Sequence, residues 1–268
     1  GRSSLGRKLL KEQYPARVIL DGVSLYHLGF GFEESARFLE RRYGLKVHAE
    51  TVSRWVHELR DLCTYSRLRD HGLRLFGPHE VVQTVKLPHR GLYVFRYHRA
   101  KMALALQDYK HARFGPLREL LDSVATECPH QLFKDGPRAS EMKTGFPLEG
   151  VQILEKANHA TRMAGFVLQA VSDNRFRHEA LQKFMLATDS VTVATEVPVL
   201  LDREGAEHLR DTLGFDLPFP VERPITGHID AVQVRNGAIH ILDYKPGARR
   251  EKAVDQLTLY ALALSRLT

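Results

Sequence analysis

Apolar residues recur at helical spacing through the first sixty positions and alternate with polar ones in the last third of the chain. Residues 15–62 predict three short helices. Val18, Ile19, Val23 and Tyr26 form the stripe of the first, which Gly29-Phe30-Gly31 breaks. Glu33 to Tyr43 turns Ala36, Leu39 and Tyr43 inward and stops at Gly44. Ala49 to Leu62 places Val52, Trp55, Val56 and Leu59 on one face and Ser53, Arg54, His57 and Arg60 on the other. Val81 to Leu87 and Leu92 to Tyr97 predict a hairpin about Pro88-His89-Arg90-Gly91, followed by a helix from His98 to Arg113. Further helices are predicted over 116–126, 148–171, 175–187 and 204–213, with a strand over 191–200. Strands at 225–234 and 238–245 meet at Arg235-Asn236-Gly237, whose Asn-Gly is the strongest short hairpin signal. The last helix, Lys252 to Arg266, spaces Val254, Leu257, Tyr260, Ala261 and Leu264 as its apolar face. Division falls at three segments: 1–62, a connector 63–114 ending at Gly115-Pro116, and 115–268.

Composition narrows the class. With 43% hydrophobic and 26% charged residues the chain reads as soluble and globular, and no apolar run of about 18 residues predicts a membrane span. Cys63 and Cys128 stand far apart, too few for a four-cysteine iron–sulfur site. Isolated, reduced thiols and the lack of a leader suit a cytoplasmic protein. Charge is unevenly spread: residues 1–113 carry 21 Lys/Arg against 11 Asp/Glu, whereas residues 114–268 carry 18 against 21. The basic half suits a polyanion and the acidic half a cation.

The candidate chemistry lies in the last hairpin. Side chains alternate along a strand, so Asp243 and Lys245 point the same way, and Asp230 sits on the adjoining strand within reach of both. Two carboxylates held that close repel unless a cation lies between them, and a hard divalent ion with oxygen ligands is the usual resolution. Gln256 and Tyr260, four apart, share a face of the following helix. Gly227-x-x-Asp230, Asp243-x-Lys245 and Gln256-x-x-x-Tyr260, in that order, resemble the RecB-like branch of the PD-(D/E)XK nuclease superfamily, to which CRISPR-associated RecB-like exonucleases also belong. The resemblance implies an α/β fold with a restriction-endonuclease-like core, a mixed sheet flanked by helices. It implies that Asp230 and Asp243 bind Mg²⁺ or Mn²⁺, that Lys245 orients or activates water, and that Gln256 and Tyr260 contact DNA or brace the lysine. A histidine on a helix ahead of the sheet is a further metal ligand in that family, best matched by His159 with His178 as a rival. Glu196, in a Glu-Val-Pro-Val segment resembling the strand before the Gly-x-x-Asp motif, extends the acid cluster. Cys128-Pro129 faintly resembles the opening of such domains, where a cysteine ligates a cluster; without partner cysteines, packing is the expectation for Cys128.

The segment GLKVHAETVSRWVHEL resembles the N-terminal helix-turn-helix of insertion-sequence transposases, with His48 in place of a Ser or Thr cap. That resemblance implies a second helix in the major groove of DNA, contacting it through Ser53, Arg54, His57 and Arg60. The sequence thus points to a metal-dependent deoxyribonuclease, cutting from ends or internally, with its own DNA-binding domain. The competing reading is a DNA-binding regulator or mobile-element accessory protein whose nuclease fold is silent. Two departures stand out: an insertion between Leu200 and Ile225, and a sequence that stops eight residues after Tyr260. Either the chain continues, or a protein partner or second copy completes the sheet edge.

Overall fold

A computed structural model of the chain describes residues 13–147, 149, 152, 154, 157–245 and 250–268, and of residues 174, 175 and 250–253 the backbone alone. It divides into two compact units that interleave along the sequence. The first takes the described residues up to Gln83 together with His98–Leu104 and Leu154–Thr192; the second takes Thr84–Tyr97, Ala105–Ile153 and Val193–Thr268. Gly115-Pro116 opens a helix inside the second unit.

The first unit begins with three helices, α1 (Ala16–His27), α2 (Phe32–Tyr43) and α3 (Ala49–Glu58). Each predicted stripe supplies the core: Val18, Ile19, Val23, Leu39, Val52 and Trp55 are buried. Gly22 lets the helices close up, since a β-carbon there would sit 3.1 Å from Leu39 Cδ1 and 3.3 Å from the Trp55 ring. Gly44, at φ 65°, caps α2 in the left-handed conformation. Helix α4 (Arg69–Leu75) follows, and α5 (Arg99–Gln107) starts after the first hairpin and stops six residues short of the predicted Arg113.

Helix α8 (His159–Ala170) is the observed part of the helix predicted over 148–171. Asn158 starts it: its side chain accepts from Thr161 N at 3.0 Å, while Thr161 Oγ1 accepts from Asn158 N at 2.9 Å. This reciprocal cap fixes the first turn and excludes residues 157 and 158 from the helix. Helix α9 (Asn174–Thr188) packs on α1.

A buried ion pair closes this unit. Lys101 Nζ stands 3.5 Å from Asp189 Oδ1, both side chains fully buried. The ammonium also donates to the carbonyls of Met185, Leu186 and Thr192. Asp189 accepts from Val191 N at 2.8 Å and from Thr192 N at 2.6 Å.

The second unit is built on a five-stranded antiparallel sheet in the order β1 (Val82–Pro88), β2 (Leu92–His98), β3 (Thr192–Leu201), β4 (Ile225–Arg235) and β5 (Ala238–Leu242). The mixed sheet expected from the sequence is therefore corrected. Register places Arg96 opposite Thr195 in one antiparallel pair and Ala231 opposite Leu242 in another. A parallel contact is described only at the isolated bridge Arg138–Thr226. The β4–β5 turn is as predicted, with Asn236 at φ 54° and Gly237 at φ 71°, the positive pair a type I′ turn needs. Helices α6 (Gly115–Glu127), α7 (His130–Asp135), α10 (Arg203–Leu213) and α11 (Arg250–Leu267) accompany the sheet.

Helix α11 buries a face rotated from the predicted one. Gln256, Leu259, Tyr260, Ala263 and Leu264 are buried, while Ala261 is exposed and Val254 and Leu257 are half-buried. Polar Gln256 turns inward because its amide has partners there. No helix among the described residues is long and apolar enough to cross a membrane.

Candidate active site

Every residue of the three motifs that the structure describes lies in the second unit, where β4, the end of β5 and α11 meet. The paired register of β4 and β5 runs from Arg235–Ala238 to Ala231–Leu242; one step further, Asp230 falls opposite Asp243. The ladder stops there. β5 ends at Leu242, three residues short of the predicted Lys245, and Tyr244 N instead donates to Asp230 Oδ2 at 2.7 Å. The carboxylate of one motif thus takes over a backbone donor beside the other motif, holding the two acids side by side. Residues 246–249, which follow, lie outside the described residues.

Lys245 Nζ lies 3.2 Å from Asp243 Oδ2; the Asp243 side chain is 5% exposed and that of Lys245 is 36% exposed. The same ammonium donates to Gln256 Oε1. Gln256 Nε2 in turn donates to Asp243 Oδ1 at 3.4 Å and to the Tyr260 hydroxyl at 2.7 Å. One amide therefore fixes the lysine, the aspartate and the tyrosine at once. That is why a glutamine and a tyrosine four apart are needed: only one helical face can offer both groups inward. Burial, reinforced by the negative charges of Asp243 and Asp230, pushes the Tyr260 phenol up to about 12, so it stays protonated at neutral pH. Gly227 makes room for that ring, because a β-carbon at this position would collide with Tyr260 Cε1. The glycine of Gly-x-x-Asp is a packing requirement of the tyrosine two motifs later.

Glu196 sits on β3, the strand beside β4, and one of its carboxylate oxygens lies within 4.8 Å of one from Asp230. Its backbone is unusual: φ is 52°, the left-handed region, in the middle of a strand. A non-glycine residue held there costs stability, and such residues cluster where function requires a side chain to be re-aimed. Alternation alone would have placed Glu196 simply opposite Val197; the local break is what directs it. Glu196 and Asp230 lie within reach of a shared ion, and Asp243 with Lys245 adjoins Asp230 at the end of the ladder. Oxygen donors of this kind fit a hard divalent ion such as Mg²⁺ or Mn²⁺.

The chain matches the PD-(D/E)XK nuclease superfamily over residues 96–268. It belongs to that superfamily. Among curated proteins and among solved structures, nothing matches it. Superfamily membership suggests nuclease activity, with DNA as the substrate class and a divalent metal as the typical cofactor. The three motifs read from the sequence, on β4, just past β5 and on α11, lie inside the matched span.

The remaining expected site residues belong to the first unit. His159 is the first residue of α8, and its Nε2 is buried. Ser53, Arg54 and His57 ride on α3, with Arg54 and His57 exposed and Ser53 half-exposed; Arg60, also exposed, follows the helix end. Arg60 Nη1 donates to His57 Nε2 at 3.3 Å and its Nε lies 3.9 Å from Asp61 Oδ1. Sequence reasoning missed the Tyr244 amide, which no side-chain pattern signals, and the dependence of Gly227 on Tyr260. The latter was legible only as motif spacing.

Proposed function

We propose that this chain is a divalent-metal-dependent DNA nuclease of the RecB-like branch, with α1–α3 as a helix-turn-helix that binds DNA. The observation that carries the reading is the hydrogen-bonded cluster of Asp243, Lys245, Gln256 and Tyr260, set beside Asp230 at the open end of the β4–β5 ladder. A solvated surface pair would not recruit a buried glutamine and a buried tyrosine to position its lysine.

Asp230, Asp243 and Glu196 are the groups that would hold the ion, which supplies charge neutralisation of the phosphate and a lowered pKa for bound water. Lys245, fixed by Asp243 and Gln256, orients the attacking water and offsets the negative charge that grows as the water oxygen bonds to phosphorus and the P–O bond to the leaving strand breaks. The partly exposed ammonium reaches a phosphate, while its two partners keep it from swinging away. Exposed Arg54, His57 and Arg60 on one side of α3 suit phosphate contacts. The resemblance also assigns a histidine to the ion, His159 or His178; alanine at each in turn distinguishes them by loss of cleavage.

The test is cleavage of linear and closed circular DNA with Mg²⁺, Mn²⁺ or EDTA, comparing the parent with Asp230→Ala. The variant is expected to bind DNA like the parent and to lose cleavage by orders of magnitude. Cleavage that persists in Asp230→Ala, or in EDTA, sinks the assignment. Activity on the closed circle separates internal cutting from end processing.

A further inference from the structure

A second group of ligand-type side chains lies in the same unit and takes no part in the nuclease motifs. His89 stands in the β1–β2 turn, Cys128 follows the last residue of α6, and His130 is the first residue of α7. Ligand atoms of the three lie within 4.8 Å of one another. His89 Nε2 is 3.0 Å from His130 Nδ1 and 3.8 Å from Cys128 Sγ. Bonds of about 2.0 Å to nitrogen and 2.3 Å to sulfur give a coordination tetrahedron edges of roughly 3.3–3.6 Å. The observed separations bracket that range.

The outer partner has the right polarity. His89 Nδ1 lies 2.7 Å from His228 Nε2 on β4. A proton on Nδ1 donated to His228 leaves Nε2 of His89 as a lone pair, aimed at Cys128 and His130. This is the arrangement by which a second residue sets the tautomer of a metal-binding histidine. Rings lock the group from both sides: Phe133 stacks on His89 at 4.3 Å and Tyr93 stacks on His228 at 3.7 Å.

We propose that His89, Cys128 and His130 form a zinc site, oriented by His228 and distinct from the oxygen-lined nuclease centre. Two imidazoles and a thiolate select a borderline-soft ion such as Zn²⁺ over the hard Mg²⁺ that carboxylates prefer. Binding displaces the thiol proton to solvent and forms the zinc–sulfur bond. The half-exposed Cys128 and His130 leave the fourth corner to water. The ion ties the hairpin turn to the α6–α7 corner, two elements that the chain itself joins only through forty residues.

The experiment is metal analysis of the purified full chain, followed by replacement with Co²⁺ and absorption spectroscopy. The parent is expected to retain about one zinc per chain after dialysis without chelator. Its cobalt form should show the near-ultraviolet sulfur-to-cobalt charge-transfer band. Cys128→Ser should lose that band and bind zinc at least about 10-fold more weakly, while Asp230→Ala keeps both parental values. A parent chain with no zinc above background and no cobalt–thiolate band overturns the proposal, and needs no variant to fold. A Cys128→Ser protein with the parental band overturns it equally. Neither readout involves DNA cleavage, so this site and the nuclease assignment fail separately.

Discussion

Two lysine–aspartate pairs among the described residues have nearly the same length in opposite settings. Lys101 and Asp189 sit 3.5 Å apart with no side-chain exposure, and Lys245 and Asp243 sit 3.2 Å apart with the lysine one-third in water. In the first pair, three backbone carbonyls take the ammonium and two backbone amides and the Thr192 hydroxyl take the carboxylate. That pair is saturated and dry. Burial drives the Lys101 ammonium down to about 8, with Asp189 opposing the shift. In the second pair, side chains rather than backbone hold the lysine, and its outer surface stays open to a substrate. The difference shows that proximity of opposite charges says little; what surrounds them decides between a brace and a reagent.

The comparison breaks if the two lysines behave alike. Lys245→Met should lower cleavage by about 100-fold or more, with a smaller loss of melting temperature than Lys101→Met because Gln256 still donates to Asp243. Lys101→Met should leave an uncompensated buried carboxylate, cost about 3–5 kcal/mol of stability, and spare the activity of the molecules that remain folded. Parallel thermal melts and single-turnover cleavage of the two variants check both halves. A large stability loss in Lys245→Met would turn the open pair into a structural one.

A smaller effect sharpens the division of charge between the halves of the chain. Arg54→Ala with Arg60→Ala is expected to leave cleavage chemistry intact at saturating DNA. It should reduce the slope of log binding constant against log salt by about 2, one counterion-releasing contact for each arginine. Titrations at several ionic strengths measure it, and an unchanged slope moves the DNA grip off α3.

Much of this was readable where local chemistry dominates. Asn236-Gly237 specified its turn because few other residue pairs tolerate two positive φ values, and the stripes around Val23, Leu39 and Trp55 specified the first three helices. Gly227-x-x-Asp230 and Gln256-x-x-x-Tyr260 fell on their predicted strand and helix, whereas Asp243-x-Lys245 lies past the end of β5. The face of α11 could not be read, since Gln256 faces inward only because Lys245, Asp243 and Tyr260 await it, and hydropathy counts that position as solvent-facing. The start of α8 was misplaced because the Asn158–Thr161 cap outweighs the apolar periodicity upstream of it. Strand direction in the sheet left no local trace. The cluster of His89, Cys128, His130 and His228 was equally hidden, its histidines being as far as 139 positions apart.

The left-handed backbone at Glu196 implies that the protein is less durable than its fold allows. Glycine at 196 would relieve the φ 52° conformation and is expected to raise stability by about 1 kcal/mol, read as a higher denaturant midpoint, while cleavage falls. Robustness and turnover would then move in opposite directions through one position, marking it as a place where selection for chemistry has overruled selection for endurance.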